Sequence, residues 1–460
     1  MNYKLLLDYK LEELLASGDG NSIREFCEDK HPAVVAEHLS SLDSTEVWKF
    51  LTYLSWPLRA EFFSHLDTQL QVEVVEKLHR KEVAHLLADM PPDDRADLFK
   101  KLPEESREAV LPALAQAERE DIRRLAAYEE GTAGAVMTSD YATLPPDLTA
   151  FKAIERLREV APDKETIYYA YVVDDNRRLL GFVSLKDLIL ARREARVSDI
   201  MHRDVIFAYT HDDQEEAAAK IQKYDLLALP VLNGDDALVG IITHDDAVDI
   251  ITQEYTEDME KFMAIAGAHE EAVYMKTSAL VHFKNRVPWI IILAILGLVS
   301  GFIVQRFEAL LLQFAILAVF MPMIADTGGN TGSQAATLVV RALAIKEISP
   351  GDILKVLFKE IVVAVLIALI LAVIAFMRVI LFGQGSTFPD EYSLLKIGFA
   401  IALALGLQIV TSTIIGALLP LAAARAKLDP AVVASPALTT IVDITGLFIF
   451  FSVAGLILGI

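Results

Sequence analysis

The sequence contains a single cysteine, Cys27, among its 460 residues. One cysteine excludes an intrachain disulfide and any cysteine-rich metal site. The N-terminal stretch MNYKLLLDYKLEELL is charged throughout and lacks the uncharged apolar core of a signal peptide. Both features are typical of a cytosolic N-terminal region in a reducing compartment. The sequence also lacks a P-loop, Gly-x(4)-Gly-Lys-Ser/Thr, which argues against a pump driven by nucleotide hydrolysis.

Charge is distributed unevenly along the chain. The formal net charge is −22, and all of the excess acid lies in the first 284 residues, whereas residues 285–460 are almost neutral and hold long apolar runs. Such a negative field disfavours nucleic acid and anionic membrane surfaces as partners, and it attracts cations. An acidic composition most often serves only to keep a domain soluble. Here the adjacent apolar region favours a role in cation handling.

Residues 1–130 are predicted to form an all-α domain. Short amphipathic segments such as VVAEHLSSL, VWKFLTYL and EVAHLLADM recur, and each ends near a polar or proline break. Repeated short helices of this kind stack into a superhelical array because each buries its apolar face against its neighbours.

Residues 131–252 contain two related halves. Both end in Gly-apolar-apolar-Ser/Thr-x-x-Asp, written Gly181-Phe-Val-Ser-Leu-Lys-Asp187 and Gly240-Ile-Ile-Thr-His-Asp-Asp246. The pattern resembles a tandem pair of cystathionine-β-synthase (CBS) domains, an α/β fold. In that fold the hydroxyl and the acid often bind a nucleotide ribose, which makes ATP a candidate ligand at Ser184, Asp187, Thr243 and Asp246. Alternatively, these residues cap the helices that follow them.

Residues 253–284 are predicted to form a connecting, or plug, helix that is too charged to span a bilayer. Residues 285–460 are predicted to form a transmembrane domain of five helices, each long enough for a hydrocarbon core of about 30 Å. The predicted spans are residues 287–304, 310–343, 353–381, 394–422 and 430–458. Basic residues follow the second and fourth spans, among them Lys346 and Arg425. The positive-inside rule therefore predicts a cytosolic N-terminus and an external C-terminus.

The fifth span contains one acid, Asp443. Ser435, Thr439 and Asp443 are four residues apart, share one helix face and all present oxygen atoms. Oxygen ligands suit Mg²⁺, Ca²⁺ or Mn²⁺, and acids inside the membrane typically mark ion pathways. Alternatively, Asp443 pairs with an arginine or an amide and only holds helices together.

The second span contains a cluster of glycines and amides, Gly328-Gly329-Asn330-Thr331-Gly332-Ser333-Gln334. The cluster interrupts an apolar run and is expected to have irregular backbone, which at membrane depth survives only where it is buried in protein or lines a watery cavity. Gly328, Gly329 and Asn330 are therefore predicted to line a pore. Asp326, which precedes them, is expected either to line the pore or to cap backbone amides.

The order of segments and three motifs resemble the MgtE family of magnesium channels over essentially the whole chain. The motifs are Arg286-x-Pro288-Trp289, Gly328-Gly329-Asn330-x-Gly332-x-Gln334 and Asp429-Pro430-x(4)-Ser435-Pro436-x(2)-Thr439-Thr440-x(2)-Asp443. The resemblance implies a homodimer in a lipid bilayer, with both fifth helices lining one pore and Asp443 binding hydrated Mg²⁺. Where some members carry asparagine in the pore helix, this chain has Ser435.

The resemblance further implies closure by cytosolic Mg²⁺ bound between domains. The acids that match are Glu61, Asp93, Asp97, Glu215, Asp225, Asp246, Asp249, Glu254, Glu257 and Asp258; each is otherwise explained as a solvated surface charge. An ion-coupled transporter of Mg²⁺, Co²⁺ or Mn²⁺, regulated by nucleotide at the CBS pair, remains an alternative. An intramembrane enzyme is disfavoured because the spans contain neither histidine nor cysteine.

Overall fold

The computed structural model describes residues 13–15, 17–265, 277–383, 388–389, 391–433 and 436–459. The chain divides into two compact units, Met1–Glu254 and Tyr255–Ile460.

The first part of unit 1 is all-helical, as predicted. Its helices are α1 (Gly20–Glu28), α2 (Pro32–Leu39), α3 (Ser44–Leu51), α4 (Trp56–Ser64), α5 (Thr68–Val75), α6 (Arg80–Asp89), α7 (Pro92–Lys101), α8 (Glu104–Val110) and α9 (Gln116–Leu125). Asp19, Asp43 and Asp67 cap α1, α3 and α5 by accepting backbone N–H bonds. From α2 to α7, each helix packs on the one two positions further along. Helices this short are marginal alone, so the shared core stabilises them.

The second part of unit 1 repeats one α/β arrangement twice, which confirms the predicted CBS pair. The first half comprises β1 (Tyr141–Leu144), α10 (Ala150–Val160), β2 (Thr166–Val173), β3 (Leu179–Ser184) and α11 (Leu185–Leu190). The second comprises α12 (Val197–Ile200), β4 (Ala208–Tyr209), α13 (Gln214–Tyr224), β5 (Ala228–Leu232) and β6 (Leu238–Thr243), followed by α14 (His244–Phe262). In both sheets the first strand is parallel to the second, and the third is antiparallel to it.

The predicted connecting helix differs from the observed one at its start. Helix α14 begins at His244, directly after β6, rather than at residue 253. The last helix of the second CBS half therefore continues into the predicted connecting segment. Residues 266–276 of that segment lie outside the described residues, and the next helix begins at Ala279.

Unit 2 is helical. Its helices are α15 (Ala279–Arg306), α16 (Glu308–Gln313), α17 (Ile316–Ala344), α18 (Ile353–Phe382), α19 (Leu394–Arg425), α20 (Pro430–Val433) and α21 (Pro436–Leu458). Within the described ranges, four helices are long and apolar enough to cross a membrane: α15, α18, α19 and the Ala437–Leu458 part of α21. Helix α17 has a similar length but carries the polar cluster of the second predicted span. These five long helices agree with the expected all-α transmembrane domain.

The expectation of irregular backbone in the second span was wrong. Helix α17 runs through the glycine cluster without a break. The reason is close packing against α19, where a Cβ on Gly416 would overlap the carbonyl oxygen of Gly332. Backbones that approach this closely require glycine, and the packing outweighs the low helix propensity of glycine.

Candidate metal sites

Unit 1 brings together acids from α7 and α14. Asp93 lies in the first turn of α7, and Asp246 lies in the first turn of α14. One carboxylate oxygen of Asp93, Oδ1, is buried and has no hydrogen-bond partner among the described groups. A buried, unpaired carboxylate is costly, so this position suits a cationic partner.

The pKa values of these acids indicate how closely they are grouped. Burial raises the pKa of Asp93 well above its usual range, and the charges of Asp246, Asp94 and Glu165 raise it further. Burial, followed by Asp246, raises the pKa of Asp94 to about 6 and that of Glu165 to about 7. Burial also raises the pKa of Asp246. Desolvation and like-charge repulsion therefore both oppose full ionisation of the cluster. Sequence reasoning did not single out Asp94 or Glu165.

Contacts beside this cluster attach α7 to the second CBS half. Ala96, fully buried, belongs to one apolar core with Ile242 and Ala247. On the neighbouring side, Arg95 forms an ion pair with Asp121 at 2.9 Å. The apolar contact brings Asp93 towards Asp246, although the two acids lie far apart in the sequence.

Three of the predicted sensor acids in unit 1 lie on its surface. Glu61 is exposed, and the exposed Asp97 forms an ion pair with Lys100 at 3.3 Å. Asp225 is exposed and ends α13 with a left-handed backbone, φ 50°, which aspartate tolerates better than most residues. Their exposure agrees with the alternative explanation given for these acids, that each is a solvated surface charge.

The remaining predicted acids of unit 1 lie beside α13 and α14. Glu215 is exposed in the first turn of α13, and Asp249 is exposed on α14. Glu254 accepts a hydrogen bond from Gln214 at 2.6 Å. Across the described residues, no three His, Cys, Asp or Glu side chains converge closely enough to hold a metal ion. The acids are thus grouped in part, and their roles as direct ligands stay predictions.

The candidate nucleotide residues form helix caps. Ser184 and Asp187 make a capping box at the start of α11, with Ser184 Oγ donating to Asp187 Oδ2 at 2.5 Å. Asp187 also lies 3.1 Å from the ring nitrogen Nε2 of His202. Thr243 similarly donates to Asp246. The capping alternative therefore accounts for these contacts, and nucleotide binding stays a prediction.

In unit 2, the end of α14 is paired with the segment that joins α19 to α20. Lys261 Nζ lies 2.5 Å from Glu257 Oε1 and 3.1 Å from Asp429 Oδ2. Burial raises the pKa of the half-buried Asp258, and the charge of Asp429 raises it further. Glu257 and Asp258 were predicted sensor acids, whereas Lys261 and Asp429 were not assigned to the sensor.

The apolar residue beside this ion pair contacts the helix bundle. Phe262 packs against the cluster formed by Ala336 of α17 and by Leu438 and Val442 of α21. The last two residues of α14 thus contribute one ionic and one apolar contact within unit 2.

The predicted pore acid, Asp443, is half-buried on α21. No hydrogen bond or ion pair joins it to another described residue, so the structure provides no support for the helix-pairing alternative. Thr439 lies one turn earlier, and a Cβ on Gly329 would sit 3.4 Å from its methyl carbon. Ser435, the third residue of the predicted stripe, lies outside the described residues.

The polar side of α17 carries Asp326 and Asn330. Both are exposed, and Asn330 Nδ2 donates to Asp326 Oδ1 at 3.2 Å. Asp326 lies within the helix, so the capping alternative for it was wrong. Gly328 is buried, facing Gln408 and Ser412 of α19. Its predicted pore-lining role is therefore untested, and its observed contacts are with a neighbouring helix.

Sequence reasoning missed three polar residues of the apolar helices. Gln408 and Ser412 of α19 are fully buried, and Glu360 of α18 is also buried. Isolated polar residues within apolar runs were the available signal, since such residues are costly in hydrocarbon.

Comparison with known families finds matches along the chain. A family described as divalent cation transporter matches residues 321–453, the MgtE intracellular N domain matches 30–131, and the CBS domain matches 133–194 and 197–253. Magnesium transporter MgtE of Thermus thermophilus is 35% identical over 455 residues, 98% of each chain. Magnesium transporter MgtE of Bacillus subtilis is 34% identical over 442 residues, 96% of this chain and 95% of its own.

Two solved structures of soluble or cytosolic domains each match about half of the chain. The soluble part of a magnesium transporter matches with a TM-score of 0.52 and 33% identity, over 55% of this chain and 99% of its own. The cytosolic domain of the Mg²⁺ channel MgtE in complex with ATP matches with a TM-score of 0.50 and 36% identity, over 53% and 99% of the two chains.

Proposed function

Because the chain belongs to the MgtE family of divalent cation transporters, we propose that it is a Mg²⁺ channel that cytosolic Mg²⁺ closes. Asp443 carries this proposal. It is a half-buried carboxylate on an apolar helix, and no described residue pairs with it. Such an acid in a membrane-spanning helix is expected to face an ion pathway.

The pore requires few direct protein ligands. Mg²⁺ gives up its water reluctantly and usually keeps several water molecules. In a homodimer, Asp443 and Thr439 from two copies of α21 would surround a hydrated ion. Passive uptake would be favoured by about 2.3 kcal/mol per charge for each 100 mV of membrane potential. The proposed location is the plasma membrane, with unit 1 in the cytosol and the C-terminus outside.

Gating follows from the charge of unit 1. Asp93, Asp94 and Asp246 repel one another when ionised, and Mg²⁺ would neutralise that repulsion and favour a compact arrangement. A ligand shifts such an equilibrium only by preferring one state. An interdomain cluster supplies this preference because its acids meet only when α7 contacts α14. The pairing of Lys261 with Asp429 offers a route from α14 to the pore helix.

Nucleotide binding is a second proposed layer of regulation. One relative's cytosolic domain has been solved with ATP, and Ser184 with Asp187 or Thr243 with Asp246 would supply the ribose contacts here. Binding would require these pairs to exchange capping bonds for ligand bonds. Asp246 also belongs to the acidic cluster, so nucleotide at the second half would alter the Mg²⁺ response.

The proposal is tested by flux into proteoliposomes, with internal and external Mg²⁺ varied separately. We expect uptake driven by the Mg²⁺ gradient and the membrane potential, and inhibition by Mg²⁺ on the side of unit 1 only. Uptake that requires a proton or sodium gradient would instead favour the ion-coupled alternative. Glu360 is the observation that keeps this alternative open, because it is a second buried acid within an apolar helix. Glu360→Gln would then abolish the proton or sodium dependence.

A further inference from the structure

Gln408 occupies the junction of three helices in unit 2. It lies on α19 and is fully buried. Its Nε2 donates a hydrogen bond of 3.4 Å to the carbonyl oxygen of Val442 on α21. Val442 directly precedes Asp443, so the amide bonds to the backbone beside the proposed pore acid.

Two glycines leave room for this one side chain. A Cβ on Gly328 of α17 would overlap Gln408 Nε2, and a Cβ on Gly446 of α21 would overlap the same atom. The added carbon on Gly446 would also lie 2.7 Å from Gln408 Oε1. The helix with the glycine cluster and the helix with Asp443 are therefore both fitted to the amide of Gln408.

Packing alone does not explain an amide here. Burying an amide is unfavourable unless it is hydrogen-bonded, and leucine or methionine would fill a similar volume. Gln408 Oε1 has no partner among the residues that the structure describes, so the bond to Val442 is the contact that accounts for the amide. The Val442 carbonyl also accepts a hydrogen bond from Thr445 Oγ1 at 3.2 Å, which further stabilises this turn of α21.

We propose that Gln408 is a positioning residue that fixes the rotation of α21 and thereby directs the carboxylate of Asp443. The inference rests on the proposed function, in which Asp443 binds the permeating ion. Rotation of α21 about its axis would move Asp443 and Thr439 together, because both lie on one face. Losing the anchor should therefore weaken ion binding more than it reduces the amount of folded protein.

The test measures Mg²⁺ uptake by full-length Gln408→Leu in proteoliposomes. We expect the half-saturating external Mg²⁺ concentration to rise about tenfold, the effect of losing one buried hydrogen bond. The maximal rate should stay within about twofold of that of the wild type. Thr413→Val is the matched control, because Thr413 is also buried on α19 but, among the described residues, its hydroxyl donates to its own helix at the carbonyl of Ile409. If Gln408→Leu does not insert, Gln408→Met gives the same comparison.

A paired variant separates positioning from packing. Gln408→Ala with Gly446→Ala restores part of the lost volume but not the hydrogen bond. We expect its half-saturating Mg²⁺ concentration to stay raised, whereas recovery to the wild-type value would overturn the positioning role. An unchanged value in Gln408→Leu, with an active wild type, would overturn the inference alone. Absence of Mg²⁺ uptake by the wild type would overturn the proposed function and the inference with it.

Discussion

Lys261 and Asp429 form an ion pair of 3.1 Å between the end of α14 and the segment that joins α19 to α20. The same ammonium lies 2.5 Å from Glu257, and the other oxygen of Asp429 accepts the backbone N–H of Ala431 at 2.8 Å. One lysine therefore links an acid of the predicted sensor to the start of α20. We interpret this pair as the connection through which α14 acts on the pore.

Reversing the charges should break and then restore this connection. Lys261→Glu places an additional acid beside Glu257, Asp258 and Asp429, so α14 should separate from the pore segment. We expect inhibition by Mg²⁺ on the unit 1 side to need about tenfold more Mg²⁺, within the usual range of coupling energies. Flux in proteoliposomes measures this shift.

The double variant Lys261→Glu with Asp429→Lys restores opposite charges and should recover most of the inhibition. Lys355→Glu is the control, because Lys355 also forms an ion pair with an aspartate, at 2.9 Å, but this partner, Asp352, lies only three residues earlier in the chain. Equal inhibition curves for wild type, single and double variants would rule out this connection.

Asp443 is expected to be essential for conduction. Asp443→Ala removes the carboxylate, and Asp443→Asn keeps its shape but removes its charge, so both should reduce Mg²⁺ uptake by at least tenfold. The measurement is uptake in proteoliposomes, with insertion checked by size-exclusion chromatography. Near-normal uptake in both variants would show that the ion pathway lies elsewhere.

Neighbouring glycines of α17 should differ in their tolerance of bulk. Gly328→Ala meets the amide of Gln408, whereas Gly329→Ala meets Thr439 at an ordinary contact distance of 3.4 Å. We expect Gly328→Ala to lower the Tm and the yield of folded protein, and Gly329→Ala to do neither. Gly329→Val, with a branched side chain beside the proposed pore stripe, should reduce conduction while the protein stays folded. Normal conduction by Gly329→Val would place this position away from the pore.

The architecture was largely predictable because its signals are local. Amphipathic segments indicated the helical array, the repeated Gly-apolar-apolar-Ser/Thr-x-x-Asp pattern indicated the CBS pair, and apolar length indicated the spans. The close approach of α17 to α19 was not predictable in the same way, because Gly332 meets Gly416, a residue far away in the sequence. The pairing of Lys261 with Asp429 was missed for a similar reason. Its partners lie far apart in sequence, and lysine in a charged helix gives no local signal.

The acidic cluster should make stability depend on pH. The pKa of Asp94 is raised to about 6 and that of Glu165 to about 7, and those of Asp93 and Asp246 are also raised. A raised carboxylate pKa means that the folded state binds protons more tightly than the unfolded state. Stability from these groups is therefore present below about pH 4 and is lost as the pH rises through 6 to 7.

Mg²⁺ should replace the lost protons. We expect Mg²⁺ to raise the Tm of the full-length protein more at pH 8 than at pH 5.5, because at the lower pH protons already neutralise part of the cluster. Thermal unfolding in detergent, with and without millimolar Mg²⁺, measures the difference. Equal increments at the two pH values would mean that Mg²⁺ acts on groups other than these.

Neutralising the sensor acids should weaken closure. Changing Asp93, Asp97, Asp246 and Asp249 together to asparagine removes ligands and also removes repulsion in the metal-free state. These two effects oppose each other, but direct carboxylate–Mg²⁺ contacts should exceed repulsion that is screened over a Debye length of about 8 Å. We therefore expect a channel that stays open at Mg²⁺ concentrations that close the wild type. In limited proteolysis, protecting the segment between residues 125 and 280 should require more Mg²⁺ in this variant than in the wild type.

The four acids changed in this variant differ in their burial. Asp93 and Asp246 belong to the buried cluster, whereas Asp97 is exposed and paired with Lys100. Asp93→Asn with Asp246→Asn should therefore reproduce most of the quadruple effect. Asp97→Asn with Asp225→Asn removes the same charge from exposed positions and should change the Mg²⁺ response by less than about twofold, as expected for surface charges. If the two double variants shift inhibition equally, the response depends on the total charge of unit 1 and not on the contact between α7 and α14.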